Sequence, residues 1–391
     1  MSLDRCKKCV LPATTTPLND EGLCPFCAME IPGPDWRQLE EDFAGIVTSL
    51  KGKGGGYDCL VPLNGGKNSS FVFNYMQNSC QTKTLAFTWD NDLIRQGAWD
   101  NIRNAVAKTG VDHEVVRYEP DYWQRALRAT MKEYERACWC PIFVIASAIP
   151  MAMKHKIPAI ITGFSEGYRQ GNHSFSIGDK EQNLAGIKHF LKVWTKVFEE
   201  AIREHEDEET TAKILDHFFG DLQRCVDNHS DPADFPALIP LSNYVNWMDH
   251  GANEEILAEG IGWEKPTDIF HSSCRIEPMK GYLEYLTGID EIHSELSGYI
   301  RAGHLSRDQA LQELDLLNVH DREPKEVTEF ADFLDMEPEE FRAIVKRGPN
   351  KIFFLNGVDN GNIPPQEIMK SVAWLFQCQS QAVDYAPKTE G

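Results

Sequence analysis

Three features that would each define a class of protein are missing from this sequence. The longest nearly apolar stretch, residues 141–153, is too short to cross a bilayer. The first residues contain no apolar core of an export signal. Basic residues are scarce, since 39 Lys and Arg stand against 60 Asp and Glu, for a formal net charge of −21. These absences predict a cytoplasmic protein without a membrane partner, and the charge disfavours binding to nucleic acid.

Cysteine, by contrast, is plentiful: the chain of 391 residues contains eleven, and four of them lie within its first 27 residues. In a reducing compartment cysteines bind metals or catalyse more often than they form disulfides. Cys6-x-x-Cys9 and Cys24-x-x-Cys27 have the spacing of two zinc knuckles, which bring four thiolates to one tetrahedral centre. Four thiolates leave zinc no open position, so the spacing predicts a structural Zn²⁺ in a module of residues 1–34. The alternative is four unrelated buried cysteines.

Short apolar runs alternate with helical segments through the middle of the chain. Runs at 57–64, 83–89, 113–118 and 158–164 are typical of strands, and the segments at 67–77, 100–109, 122–136 and 140–154 are typical of helices. This alternation predicts an α/β fold, a doubly wound parallel sheet with helices on both faces, over residues 57–235. Residues 35–56 are predicted to be a helical linker. Residues 236–391 are predicted to be a mostly helical region for substrate binding or oligomerisation, and a homo-oligomer is left open.

A glycine turn follows the first predicted strand. Two glycines allow a tight turn that aims backbone N–H groups and the next helix N-terminus at one point, where a phosphate binds. Neither the Walker spacing nor the dinucleotide-binding spacing is present. The alternative is an ordinary strand–turn–helix corner. The turn and the start of the helix comprise Asn64, Gly65, Gly66, Lys67, Asn68, Ser69 and Ser70.

The order of these motifs resembles the N-acetyl sugar amidotransferase family of the PP-loop ATP pyrophosphatase superfamily. Residues 64–69 are similar to the SGGxDS pyrophosphate loop of that superfamily, and they follow the two CxxC pairs and the run YDCLVPL in the family's order. The resemblance extends from Cys6 to about Val345. Its further segments are 88–90, 111–113, 157–163, 240–244, 262–266, 288–290 and 303–310.

The resemblance implies an ATP-dependent enzyme with an adenine nucleotide alpha hydrolase-like core that uses Mg²⁺. The family adenylates the acetamido group of a bacterial surface sugar and converts it into an acetamidino group, a step of lipopolysaccharide biosynthesis. Ammonia comes from a separate glutaminase, and this sequence shows no glutaminase signature of its own. We therefore expect a small sugar substrate, which need not be nucleotide-linked, and a glutaminase partner.

Further site residues are expected where the predicted strands end, since ligands of open α/β sheets bind there. Lys67 is expected to bind phosphate and to be catalytic, and Glu166 to hold Mg²⁺ or act as a base. Asp90 is expected to be catalytic, although a turn residue at Asp90 and a helix cap at Glu166 are the alternatives. Further ATP contacts are expected at Thr88, Trp89 and Gly163, and substrate contacts at Arg169, His173, Lys180, His271 and Arg275.

Two positions of the glycine turn depart from the family pattern. Asn64 and Asn68 stand where the family has Ser and Asp. Asparagine can replace the hydrogen bonds of aspartate but not its charge, so Asn68 removes a candidate magnesium partner or loop anchor. A degenerate, non-catalytic loop is the alternative that this departure leaves open.

A second group of cysteines consists of Cys138, Cys140 and the distant Cys274. In a PP-loop protein, a close pair plus a distant third resembles the three-thiolate site of tRNA thiolation enzymes, which holds an iron–sulfur cluster. This resemblance implies the alternative function, an ATP-dependent sulfur transferase acting on tRNA or a small molecule. The other interpretation is that these cysteines only pack in the core.

Overall fold

The computed structural model folds the alternating pattern into one parallel sheet with the strand order β3-β2-β1-β4-β5. The strands are β1 (Cys59–Pro62), β2 (Thr84–Asp90), β3 (His113–Arg117), β4 (Ala159–Thr162) and β5 (Ala237–Pro240). From β1, the strands β2 and β3 follow on one side and β4 and β5 on the other, as in doubly wound sheets. The predicted fold class is confirmed.

Fourteen α-helices accompany the sheet in the described part of the chain. The structure describes residues 4–13, 16–29, 34–134, 136, 138–163, 179–246, 254–265, 273–277, 279, 291–316, 323, 325–345 and 363–375. Up to β5 the helices are α1 (Pro25–Ala28), α2 (Trp36–Leu50), α3 (Lys67–Asn74), α4 (Gln96–Thr109), α5 (Pro120–Tyr134), α6 (Cys140–Lys154), α7 (Lys180–Arg203) and α8 (Glu208–Asn228). Beyond β5 they are α9 (Glu254–Ile261), α10 (Glu291–Ala302), α11 (Arg307–Leu316), α12 (Glu326–Phe333), α13 (Pro338–Val345) and α14 (Pro365–Leu375). None of the described helices is both long and apolar enough to span a bilayer.

Helices bury both faces of the sheet. Successive side chains of a strand point to opposite faces, so each strand contributes to two cores. Leu60 of β1 belongs to a large core that also contains buried residues of α5, α6, α7 and α8. Its neighbours Cys59 and Val61 belong to a second core, with buried residues of α2, α3, α4 and α9. Helices on both faces are what the near-continuous apolar strands predict.

The sheet extends beyond residue 235, the predicted end of the α/β domain. Strand β5 pairs with β4 over four residues, from Ala159 with Ala237 to Thr162 with Pro240. A four-residue apolar run after two long helices carries no pattern that distinguishes a strand from a loop. The region after residue 235 therefore contributes to the sheet as well as carrying helices.

The N-terminal cysteine module packs against α10 and α11. Arg307 of α11 donates from Nε to the Cys9 carbonyl at 3.0 Å, and the Val10 N–H donates to Ser297 Oγ of α10 at 3.3 Å. At the start of α11, Ser306 and Gln309 exchange side-chain and backbone hydrogen bonds of 2.9 and 3.2 Å. This is a capping box, whose sequence signature is a Ser followed three residues later by Gln.

Candidate functional site at the switch point of the sheet

The glycine turn lies after β1, beside β4, where the strand order reverses. Gly65 has φ +75°, and a Cβ there would lie 2.1 Å from the Ala98 carbonyl oxygen, so only glycine fits. The Gly65 carbonyl accepts hydrogen bonds from Trp263 Nε1 at 3.0 Å and from Asn101 Nδ2 at 3.2 Å. The turn is therefore held rigidly against α4 and the segment after α9.

Asn64 closes the turn with its side chain. Its Oδ1 accepts from the Gly66 N–H at 3.0 Å and from Ser69 Oγ at 2.6 Å. Ser69 Oγ in turn lies 3.1 Å from the Asn64 N–H. An asparagine that bonds the N–H two residues on forms an Asx turn. The departure from serine at position 64 thus preserves a compact loop.

The loop opens α3, whose first residues were predicted to bind phosphate. Gly66 is the N-cap, and the first N–H groups of a helix have no intrahelical acceptor. Lys67 is exposed at the first helical position, whereas Ser70 is buried and packs inward. A Cβ at Gly163, at the end of β4, would lie 3.2 Å from the Asn68 carbonyl. Gly163 and Asn68 are thereby placed side by side, next to the exposed Lys67 and the first N–H groups of α3.

Thr88 and Trp89 stabilise the end of β2. Thr88 Oγ1 donates to the Leu63 carbonyl at 2.6 Å and lies 2.8 Å from His113 Nε2. Burial lowers the pKa of His113, so its ring is neutral near pH 7. Trp89 is buried, with its ring edge-to-face against Trp123 at 5.2 Å. The predicted ATP contacts at Thr88 and Trp89 remain predictions.

Asp90 is held by its neighbours in the chain. Its Oδ1 accepts from the Asp92 N–H at 3.0 Å, and its Oδ2 lies 3.9 Å from Arg117 Nε. Arg117 also pairs closely with Asp92. These contacts are those of a turn residue at the end of a strand, and a catalytic role for Asp90 remains a prediction. Glu166, Arg169, His173 and His271 lie outside the described residues.

The second cysteine group comes together at the same edge of the sheet. Cys140 begins α6, and Cys274 forms a bridge with Ile94 in the loop after β2. Hydrogen bonding to Cys138 and burial raise the pKa of Cys140, and burial raises the pKa of Cys274 to about 12. All three are half-buried thiols. The structure thus places the distant Cys274 near the close pair.

A short ladder fixes Cys274 next to the glycine turn. The Arg95 N–H donates to the Ser273 carbonyl at 3.0 Å, and the Arg275 N–H donates to the Leu93 carbonyl at 2.9 Å. A Cβ at Gly66 would lie 3.2 Å from the side chain of Ser273. The segment that carries Cys274 therefore lies beside the candidate phosphate loop.

Sequence reasoning missed two contributors to this site. Asn91 is buried, and its Nδ2 lies 3.7 Å from Cys140 Sγ and 3.6 Å from Cys274 Sγ. Arg95 donates to the Cys274 carbonyl and forms a 3.2 Å ion pair with the buried Glu326 of α12. A polar residue directly after the strand ending at Asp90 was the available signal for Asn91. Nothing local signals the partner of Arg95, because Glu326 is 231 residues away.

The four N-terminal cysteines form a separate site. Their Sγ atoms all lie within 4.8 Å of one another, and all four side chains are buried. Cys9 Sγ and Cys24 Sγ are 3.7 Å apart. Tetrahedral zinc with Zn–S bonds of about 2.3 Å requires thiolates about 3.8 Å apart. Hydrogen bonds from Cys24 and Cys27 lower the pKa of Cys9. This donor set fits one zinc ion.

The described residues offer no comparable set of oxygen ligands. In this part of the chain, the N-terminal cysteines are the one group of three or more Cys, His, Asp or Glu donors that could hold a metal. Asn68 carries no charge, and Asp90 is engaged as described above. Mg²⁺ usually binds through one or two carboxylates and the substrate phosphates, and the predicted carboxylate ligand, Glu166, lies outside the described residues.

Comparison with protein families finds a match at the C-terminal end. Residues 279–359 match the family of LPS biosynthesis proteins described as WbpG-like, C-terminal domain. This agrees with the resemblance to enzymes of surface-sugar biosynthesis. An uncharacterized protein of Methanocaldococcus jannaschii, MJ1599, is 26% identical over 113 residues, 28% of this chain and 40% of that protein. The chain thus spans less than half the length of that relative.

Two solved structures are similar to this chain at a low level. The NH3-dependent NAD synthetase of Campylobacter jejuni has a TM-score of 0.26 and 11% identity, over 51% of this chain and 98% of that one. The U34-tRNA thiolase NcsA of Methanococcus maripaludis, solved with its [4Fe-4S] cluster, has a TM-score of 0.29 and 14% identity, over 86% and 100%. At these TM-scores neither likeness bears on the activity of this chain.

Proposed function

We propose that this protein is an ATP-dependent amidotransferase that adenylates the acetamido group of an N-acetyl sugar for attack by ammonia. The observation that carries the proposal is the rigid glycine turn after β1. It opens α3 at the switch point of the sheet, the place where open α/β folds bind their ligands. The turn keeps its compact geometry despite the two asparagines, which argues against a degenerate loop.

The reaction replaces a poor leaving group with a good one. The amide oxygen of the sugar attacks the α-phosphorus of ATP, and pyrophosphate leaves. Ammonia then adds to the activated carbon, AMP leaves with the former amide oxygen, and the new nitrogen loses a proton. The amides that open α3 would hold the departing pyrophosphate, and the exposed Lys67 would balance its charge.

The substrate class is supported by two further observations. The similarity of residues 279–359 to WbpG-like LPS biosynthesis proteins links the C-terminal helices to surface-sugar metabolism. The net charge of −21 suits a small sugar better than a nucleic acid. Ammonia is assigned to a separate glutaminase subunit, because the chain carries no glutaminase signature. The N-terminal cysteine site is assigned a structural zinc ion.

A direct assay tests this function. Purified protein is incubated with ATP, Mg²⁺, ammonium chloride and a panel of free and nucleotide-linked N-acetyl sugars. The expected result is pyrophosphate release that depends on the sugar, with a product in which NH replaces oxygen. Lys67→Ala should reduce pyrophosphate release at least tenfold, and Lys51→Ala, on an exposed lysine before β1, should not. Sugar-independent or absent pyrophosphate release would contradict the proposal.

The three-cysteine group favours a second candidate function, ATP-dependent sulfur transfer. The specific observation is that Cys138, Cys140 and Cys274 meet beside the glycine turn. The same adenylated carbonyl would then be attacked by sulfur rather than nitrogen. A thiolated product formed from ATP and sulfide by anaerobically purified protein, and lost in the Cys138→Ala variant, would favour sulfur transfer over amidotransfer. Zinc alone would remove its main support.

A further inference from the structure

Asn91 contacts the sulfurs of two members of the three-cysteine group. Its side chain is 4% exposed, and the same Nδ2 atom reaches Cys140 Sγ and Cys274 Sγ. A primary amide has two N–H donors, so it can give one hydrogen bond to each sulfur. The amide therefore ties α6 to the segment around Cys274 through sulfur.

The orientation of this amide is set by a second contact. Asn91 Oδ1 accepts from the Leu93 N–H at 2.9 Å, which requires the oxygen on that side. The Asn91 carbonyl accepts from Trp123 Nε1 at 3.1 Å, so the backbone is fixed as well. With the oxygen committed to Leu93, the NH₂ group must face the two sulfurs. The donation to sulfur thus follows from the hydrogen-bond network of the loop.

A buried amide gains most from acceptors that carry negative charge. A thiol sulfur is a weak acceptor, whereas a metal-bound thiolate accepts a stronger, charge-assisted hydrogen bond. Donors that form hydrogen bonds to ligand atoms orient the ligands and tune the reduction potential of the metal centre. Two N–H groups aimed at two sulfurs therefore fit a pair of metal-bound thiolates better than a pair of thiols.

The spacing of the three sulfurs indicates the class of metal centre. Among the described residues, only the N-terminal cysteines bring all their donor atoms within 4.8 Å of one another, so the second group is wider. A single ion needs close ligands, whereas each thiolate of an iron–sulfur cluster binds a different iron. The wider group suits a cluster, and the narrower one suits zinc.

We propose that Asn91 is the positioning residue of an iron–sulfur site formed by Cys138, Cys140 and Cys274, donating one N–H to each of two ligand sulfurs. This goes beyond the proposed amidotransfer, which needs no such centre, and it shares its cysteines with the sulfur-transfer candidate. The chain would then carry two thiolate sites of different kinds. One staples the N-terminus, and the other borders the glycine turn.

The test uses the full chain, incubated anaerobically with ferrous iron and sulfide after zinc loading. The key variant is Asn91→Asp, which keeps an acceptor for the Leu93 N–H and removes both donors to sulfur. Asn183→Asp is the matched control, since that half-buried asparagine donates from its side chain to the Pro236 carbonyl, directly before β5. Iron and sulfide content, visible absorption and midpoint potential are measured.

We expect the wild type and Asn183→Asp to take up iron and sulfide, and Cys140→Ala to take up neither. Asn91→Asp should bind a cluster with a lower midpoint potential and several-fold faster loss in air, or bind none while retaining its zinc. A wild type that binds no iron would overturn the proposal, as would an Asn91→Asp cluster with unchanged potential and air stability. Failure to form an amidinated sugar leaves this result untouched, so the two proposals fail separately.

Discussion

The two cysteine groups of this chain use the same side chain in opposite ways. Cys6, Cys9, Cys24 and Cys27 lie within a span of 22 residues, are buried, and bring their sulfurs within 4.8 Å of one another. Cys138, Cys140 and Cys274 span 137 residues and stay half-buried, and the buried amide of Asn91 contacts the sulfurs of Cys140 and Cys274. The first group makes its own small module, whereas the second is made by the fold around it.

This difference determines what each group can do. A compact four-thiolate site closes around its metal and contributes to folding, because it leaves no position for a substrate. A wider group at the carboxyl edge of a parallel sheet lies next to the candidate phosphate loop, where chemistry is carried out in such folds. The predictions below separate the two groups by asking which changes affect one and spare the other.

The largest effect is expected from Cys24→Ser. It removes one of four ligands from a site whose metal contributes apparent binding free energies of about 10 kcal/mol or more. We expect loss of zinc and of the contacts that hold α10 and α11, including Arg307 to the Cys9 carbonyl. Metal analysis and hydrogen exchange of both helices measure this. Cys274→Ser should keep its zinc. Zinc loss in that variant would show that the two cysteine groups do not bind metal independently.

Next in size is Gly65→Ala in the glycine turn. The left-handed backbone costs about 1–2 kcal/mol and the forced contact with the Ala98 carbonyl about 1–3 kcal/mol more, so ATP binding should be lost. Gly110→Ala is the matched control, because Gly110 has φ +67° with open space around it. Its substitution should be destabilising only by the cost of the left-handed backbone. Urea unfolding and calorimetric ATP titration measure both. Equal destabilisation would show that the turn is not held as tightly as its contacts require.

A smaller effect is expected from Glu326→Gln. The substitution breaks the ion pair with Arg95, which also binds the Cys274 carbonyl, and should cost about 1–3 kcal/mol because Glu326 is buried. Glu41→Gln breaks an exposed pair with Arg37 and should cost less than about 1 kcal/mol. Urea unfolding measures both costs, and thiol labelling should report easier access to Cys274 in Glu326→Gln alone. Equal labelling in the two variants would mean that α12 does not hold the cysteine segment.

The sequence predicts local features of this protein well and distant contacts poorly. The alternation of strands and helices, the capping box at Ser306 and the cysteine knuckles all depend on residues a few positions apart. Strand β5 and the pairing of Arg95 with Glu326 depend on contacts that form only once the chain has folded. Cys274 illustrates both sides. Its residue type marked it as a candidate ligand, but only its hydrogen bonds with residues 93–95 in the folded chain bring it to the carboxyl edge of the sheet.

The smallest expected effect is a pH dependence centred on His113. Burial lowers its pKa in the folded state, so below a pH of about 6.5 the unfolded chain takes up a proton that the folded chain does not. Stability should therefore fall as the pH drops below that value, by about 1 kcal/mol per unit of pKa difference. His113→Gln should flatten this part of the profile, and His217, whose pKa is also lowered by burial, should account for part of the remainder.

Acid also protonates zinc thiolates, so unfolding and zinc release are followed together. Variant and wild type should release zinc at the same pH while differing in unfolding, and a shift in zinc release would mean that the N-terminal module and the sheet respond to acid as one unit.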